Sequence, residues 1–226
     1  MNKYRLVTFD VYTALFDLES SLVPLLSRTW STTSPSEILA LQRTWRTKQL
    51  EYLLISNSLQ KGRFPFWTIT ERALDYALQR FKLELADTQR ATLVEAWNHL
   101  QPWQEAAPVI AQVKQLGYPI GVLSNGDEVM LRAVVKAFPT SFEYFFASDQ
   151  AGVYKPHPAV YQLPLRLLGI EPSEVLHVAG GATDVMGTKS AGLVCAWSNR
   201  GGDYVLDPAY KPDFEFRDLN GLLGVL

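Results

Sequence analysis

The chain is nearly free of cysteine. Cys195 is the only one among 226 residues, so no internal disulfide can form and a reducing compartment is expected. No apolar run approaches the ~20 residues that span a bilayer, so no membrane partner is expected. No leader-like segment separates Met1 from the first strand pattern, so the expected location is the cytoplasm. There is no basic cluster either. Lysine and arginine number 21 against 23 acidic residues, for a net charge of −2, which argues against nucleic acid as a partner. Internal repeats and low-complexity tracts are absent. No convincing strand pattern appears between residues 17 and 100.

What is present suits a well-packed enzyme. The length allows one large domain, or a core with an insert, and a hydrophobic content of 47% supports a sizeable core. Arg5-Leu-Val-Thr-Phe9 reads as a short buried strand, and Asp10 stands where it should end. Helical patterns follow to about residue 100. Ser34-Pro35-Ser-Glu37 reads as a helix start, with Ile38, Leu41, Trp45 and Tyr52 at helical spacing, and Gly62 and Pro65 interrupt before runs at about 67–82 and 87–100. From Pro102 helices and strands alternate: helix to Leu116, strand Ile120–Leu123, helix 127–138, strand Phe142–Ala147, helix 158–168, strand Val175–Val178, helix 184–191, strand Leu193–Trp197 and a short strand near Phe214–Phe216. This predicts an α/β fold: a doubly wound, Rossmann-like parallel sheet with an inserted all-helical cap domain. The expected division is a core of residues 1–15 and 102–226 and a cap of 16–101. Cys195 falls in a strand pattern and reads as an inert packed thiol.

Open α/β sheets build their sites at the carboxyl ends of strands. Asp10, Ser124, Asn125, Lys155 and Asp184 all fall at or beyond such ends. If the strands are neighbours, Lys155 would keep Asp10 ionised and Asp184 would hold Lys155. Each residue alone reads as a loop group, a cap or a turn; four groups in order at four strand ends favour a site. A carboxylate so placed can act as a nucleophile that forms a covalent ester. Two residues on stands Tyr12, where a second carboxylate would supply a proton donor. His177 falls mid-strand and reads as hydrogen-bonded in the core, and His157 follows a Lys-Pro turn; the two are not expected to form a metal pair.

At these residues the chain resembles the haloacid dehalogenase superfamily, and within it the type II, L-specific 2-haloacid dehalogenases. Phe9-Asp-Val-Tyr-Thr-Ala-Leu-Phe-Asp17 is similar to that family's Asp-x-Tyr-Gly-Thr-Leu-Phe-Asp. Leu123-Ser-Asn-Gly126 matches the second motif, and Val153-Tyr-Lys-Pro156 with Tyr161 the third. Val178-Ala-Gly-Gly-Ala-Thr-Asp184 has the spacing of the fourth. Trp45-Arg-Thr-Lys-Gln-Leu-Glu-Tyr52 is similar to the segment that carries the family's halide-abstracting arginine. The likeness covers nearly the whole chain.

The resemblance implies hydrolytic dehalogenation of short 2-haloalkanoic acids through an aspartyl ester on Asp10. Arg46 and Asn125 would receive the halide, and Ser124 would hydrogen-bond the nucleophile or the substrate carboxylate. Val11, Tyr12, Phe66, Trp67 and Tyr161 would lie at the substrate. No metal or other cofactor is implied, because a halide leaves without a proton and Tyr12 costs such an enzyme nothing. Two other readings stand beside this one: a phosphate-ester hydrolase that needs Mg²⁺, and an impaired member serving as a binding module. Arg46 also reads as a solvated charge on a helix rich in Lys48 and Glu51, with an i,i+3 or i,i+4 partner, and Phe64, Phe66 and Trp67 as cap packing. Apolar cap helices could support a homodimer. The sequence departs from the family at four places: Thr13 replaces its glycine, Ala14 its threonine, Ala179 its serine and Gly181 the asparagine that places the hydrolytic water.

Overall fold

A computed structural model describes residues 3–59 and 61–226. Strand β1 (Leu6–Phe9) is followed by one wide helical turn, Val11–Leu15. A two-residue strand, β2 (Phe16–Asp17), then leads into four helices: α1 (Leu18–Thr29), α2 (Pro35–Leu59), α3 (Phe66–Phe81) and α4 (Asp87–Glu95). Strand β3 (Gln101–Pro102) returns antiparallel to β2, so a short ribbon carries the chain out to the helices and back. The sequence pattern does not show this ribbon, because two residues are too few for a period to appear.

The rest alternates: α5 (Ala106–Gln115), β4 (Ile120–Ser124), α6 (Glu128–Val134), β5 (Tyr144–Ala147), α7 (Ser148–Ala151), α8 (Pro158–Tyr161), α9 (Leu163–Leu168), β6 (Val175–Ala179), α10 (Ala182–Ser190), β7 (Val194–Ser198) and β8 (Phe214–Phe216). Six strands form one parallel sheet in the order β5-β4-β1-β6-β7-β8. The chain winds outward on one side of β1 and then on the other, and β1 marks the reversal where α/β sheets open a crevice. Strands β1, β4 and β6 are buried at every residue, as expected of strands covered on both faces. The expected helix 158–168 is two short helices instead. Pro164 has no N–H to continue the ladder from one to the other.

The helical layer is held by its own core and tied to the sheet. On α2, Ile38, Leu41, Trp45 and Leu53 are buried, while Tyr52 is only partly so. The Trp45 indole donates to Thr70 O at 2.8 Å, and Gln49 Nε2 donates to Thr70 Oγ1 at 2.6 Å, which fixes α2 on α3. Asn57 exchanges two hydrogen bonds with the Tyr154 backbone, at 2.7 and 2.9 Å. Arg63 pairs with Asp127, whose other oxygen accepts from Phe66 N at 3.0 Å. Cys195 is buried, and burial pushes its thiol well above the ordinary range, so it stays protonated.

Candidate active site

Asp10 follows β1 directly and caps the wide turn. Its Oδ2 accepts from Thr13 N at 3.1 Å and Thr13 Oγ1 at 2.7 Å. Its Oδ1 accepts from Ser124 Oγ at 3.1 Å, with Lys155 Nζ at 3.6 Å. The carboxylate is thus oriented from three elements: its own turn, the end of β4 and the loop after β5. Only 8% of the residue is exposed, where charge interactions are strong.

Lys155 is the hub of a buried cluster. Its Nζ lies 2.9 Å from Asp184 Oδ1 and 3.2 Å from His177 Nε2, and its backbone N–H donates to Asn125 Oδ1 at 2.7 Å. Asp184 stands in the first turn of α10 and accepts a second bond from Tyr161 Oη at 2.8 Å. Burial alone would raise the Asp184 carboxyl, but Lys155 and His177 outweigh it and hold the group below the usual carboxylate range. Asp184 therefore stays ionised. The bond from Lys155 N to Asn125 Oδ1 fixes the Asn125 amide, leaving its NH₂ group as the available donor.

A cavity of about 300 Å³ opens above these groups, lined by Asp10, Asn125, Lys155, Asp184, Arg46 and Leu53 among others. Arg46 reaches the site from α2 and is not a solvated charge. Glu51, a nearby acid on α2, pairs with Lys48. Arg46 Nη1 donates to Gln49 Oε1 at 2.5 Å, and the guanidinium lies 6.0 Å from the Tyr12 ring centroid and 5.7 Å from that of Trp97. Tyr12 stacks on Phe66, with centroids 5.0 Å apart. Among the described residues, Arg46 Nε, Tyr12 Oη and Trp97 Nε1 are buried polar atoms without a hydrogen-bond partner. Burial pushes the Tyr12 phenol far above its ordinary value, so it is no proton donor for a leaving group. Among the described residues, no group of three or more His, Cys, Asp and Glu could hold a metal ion, and no helix is long and apolar enough to cross a membrane.

Val11, Tyr12, Phe66, Trp67 and Tyr161 do not line the cavity. Val11, Tyr12 and Phe66 are fully packed in the core, and Trp67 packs partly against it. Tyr161 spends its hydroxyl on Asp184. Ser124 is fully buried and bonds Asp10. Residues not singled out from the sequence complete the wall: Leu50, Leu53 and Leu54 from α2, and Asp203 and Leu206 from the loop after β7. Leucines on a helix and residues in a turn-rich loop give no signal of a site. His177 did carry one, being a ring with two polar nitrogens in an otherwise apolar strand.

Two of the four departures, Thr13 and Ala14, offset each other. Thr13 supplies the hydroxyl that bonds Asp10, so the loss at Ala14 is met one residue earlier. Thr13 fits because residue 180 is glycine: a Cβ there would stand 2.4 Å from Thr13 Oγ1 and 2.4 Å from Ala14 N. Gly180→Ala should cost about 1–3 kcal/mol and turn Thr13 away from Asp10. Urea titrations and initial rates on the variant check both effects. Gly181, in contrast, has open space where a side chain would stand.

A family model described as haloacid dehalogenase-like hydrolase matches residues 4–192. The (S)-2-haloacid dehalogenase 4A of Burkholderia cepacia is 30% identical, covering 97% of this chain and 90% of its own length. A crystal structure of an L-2-haloacid dehalogenase superposes with a TM-score of 0.92 at 31% identity, covering 99% of both chains. The L-2-haloacid dehalogenase of Xanthobacter autotrophicus with chloropropionic acid covalently bound superposes with a TM-score of 0.86 at 29% identity, covering 98% of both chains.

Proposed function

The chain belongs to the haloacid dehalogenase-like hydrolases, and on that premise we propose that it hydrolyses short 2-haloalkanoic acids through an ester formed on Asp10. One observation carries the reading. A carboxylate held by Thr13, Ser124 and Lys155 faces a cavity that the cationic Arg46 also lines, and the residue two places after that carboxylate is Tyr12 and not a second acid. Asp10 attacks the carbon that bears the halogen. The carbon–halogen bond breaks as the carbon–oxygen bond forms, and the halide departs with both electrons of the broken bond. Arg46 and the Asn125 amide meet the growing negative charge, which preorganised donors stabilise most in a site shielded from water. The unpartnered Arg46 Nε, beside the aromatic faces of Tyr12 and Trp97, suits a large soft anion. Lys155 pairs with the Asp10 carboxylate before attack and polarises the ester carbonyl after it. Water then attacks that carbonyl and releases the 2-hydroxy acid.

Residues 1–15 and 102–226 act in this reading as the catalytic core, and 16–101 as the cap that brings Arg46. Leu54, Ile55 and Leu59 are exposed along α2 and suit a homodimer contact. The buried free thiol suits the cytoplasm.

Metal dependence separates this reading from phosphate-ester hydrolysis, which would need clustered oxygen ligands for Mg²⁺. The purified chain should release chloride from 2-chloropropanoate at the same rate with and without EDTA. Phosphate release from an aryl phosphate that requires metal, without chloride release, would overturn the proposal.

A further inference from the structure

His177 has no part in the chemistry so far, yet it is fully buried and touches the site. Its Nε2 lies 3.0 Å from Asp184 Oδ2 and 3.2 Å from Lys155 Nζ, and its Nδ1 lies 2.9 Å from Thr8 Oγ1. The Thr8 hydroxyl can donate or accept, so the ring can change tautomer without stranding a buried polar atom. A doubly protonated ring would donate to Thr8 Oγ1 and to Asp184 Oδ2. A neutral ring can instead accept from Lys155.

The second half-reaction needs such a group. Water adds to Asp10 Cγ, the bond from Cγ to the substrate oxygen breaks, and the alkoxide takes a proton to become the 2-hydroxy acid. With Asp10 back as a carboxylate, one proton from the water is left over. Lys155 is already committed to its ion pair with Asp184, and Asp184 is held ionised by its partners. We propose that His177 stores this proton, received at Nε2 through Asp184, until product leaves. The charges agree with that order. Asp10, Asp184 and Lys155 together carry −1 once Asp10 is a carboxylate again, and an imidazolium makes the cluster neutral. The other groups that face the ring are Tyr161, whose ring centroid is 6.2 Å away, and Cys195, its register partner on β7. Burial, and after it the charge of Lys155, hold the imidazole below its ordinary value, so it is neutral and ready to accept at pH 7. His177 acts through Asp184 and is a positioning residue for protons.

The inference rests on the dehalogenase reading, and the test separates the two. Wild type and His177→Asn are mixed with 2-chloropropanoate between pH 5 and 8. Chloride release is followed by rapid quench, and the ester on Asp10 by intact mass. Wild-type ester decay should slow below a pH under 6.5, where the ring is already protonated, while the chloride burst should show no such limb. In His177→Asn the ester should decay about 100-fold more slowly, without the limb, and the burst should stay within a few-fold of wild type. Ester decay in the variant at the wild-type rate, or slowed with the limb intact, would overturn the proposal. No chloride burst from wild type would overturn the underlying reading and this inference with it. Nitrogen-15 spectra of the imidazoles in wild type need no variant: a His177 ring that stays neutral through the limb also overturns it.

Discussion

Asp10→Asn should abolish halide release, by on the order of 10⁴-fold or more, as expected when a covalent nucleophile is lost. The substitution separates chemistry from structure. Asparagine is as good a cap as aspartate, so the wide turn from Val11 keeps its acceptor for Thr13 N. The new NH₂ group takes the place of an oxygen that faces donors: Ser124 Oγ at 3.1 Å and Lys155 Nζ at 3.6 Å. The serine hydroxyl can rotate and accept, and Lys155 retains Asp184. Folding should therefore survive while the anion that attacks carbon is gone. The measurement is chloride release together with intact mass, wild type carrying the added mass of the substrate's carboxyalkyl group during turnover and the variant none. A variant that still released halide would place the nucleophile elsewhere, and the scheme built on Asp10 would fall.

The features readable from sequence were those with a period or a fixed offset. Apolar runs followed by a polar residue gave β1, β4 and β6 and so the rim where Asp10, Ser124 and Asp184 stand. Lys155 was readable because its loop follows β5, and parallel order brings neighbouring strand ends together. Contacts made at long sequence separation left no local trace. That Leu50 and Leu54 would line one cavity with Asp203 and Leu206 depends on how α2 seats on the core. That seating comes from Asn57 on Tyr154 and Arg63 on Asp127. The aromatic residues show the same limit. Phe66 is a helix residue in a pattern of apolar positions, and only the fold reveals that it stacks on Tyr12. The departure at Thr13 and Ala14 was visible as a break in a motif, but its meaning lies in Gly180, 167 positions along the chain, which leaves room for the Thr13 hydroxyl at Asp10.

Arg46→Met should lower the rate of halide release by about 10²–10³-fold, the usual cost of losing a preorganised charge partner for a developing anion. Arg46→Lys should recover only part of it. Lysine keeps a charge but lacks the planar fork, which here spans Gln49 and the Tyr12 and Trp97 rings. Methionine fills similar space and leaves the aromatic cluster covered, so the loss should appear in the rate and not in the urea midpoint. The effect should also fall on one step. In the proposed scheme Arg46 meets the halide, which is gone before water attacks, so an ester once formed should decay in the variants at the wild-type rate. The split is measurable by rapid quench: slowed ester formation with unchanged decay. Arg46→Met that forms ester at the wild-type rate would remove the guanidinium from the leaving-group site and return it to packing between Tyr12 and Trp97. Equal slowing of both steps would instead mean that Arg46 sustains the closed cap as a whole, through α2, and not the departing ion.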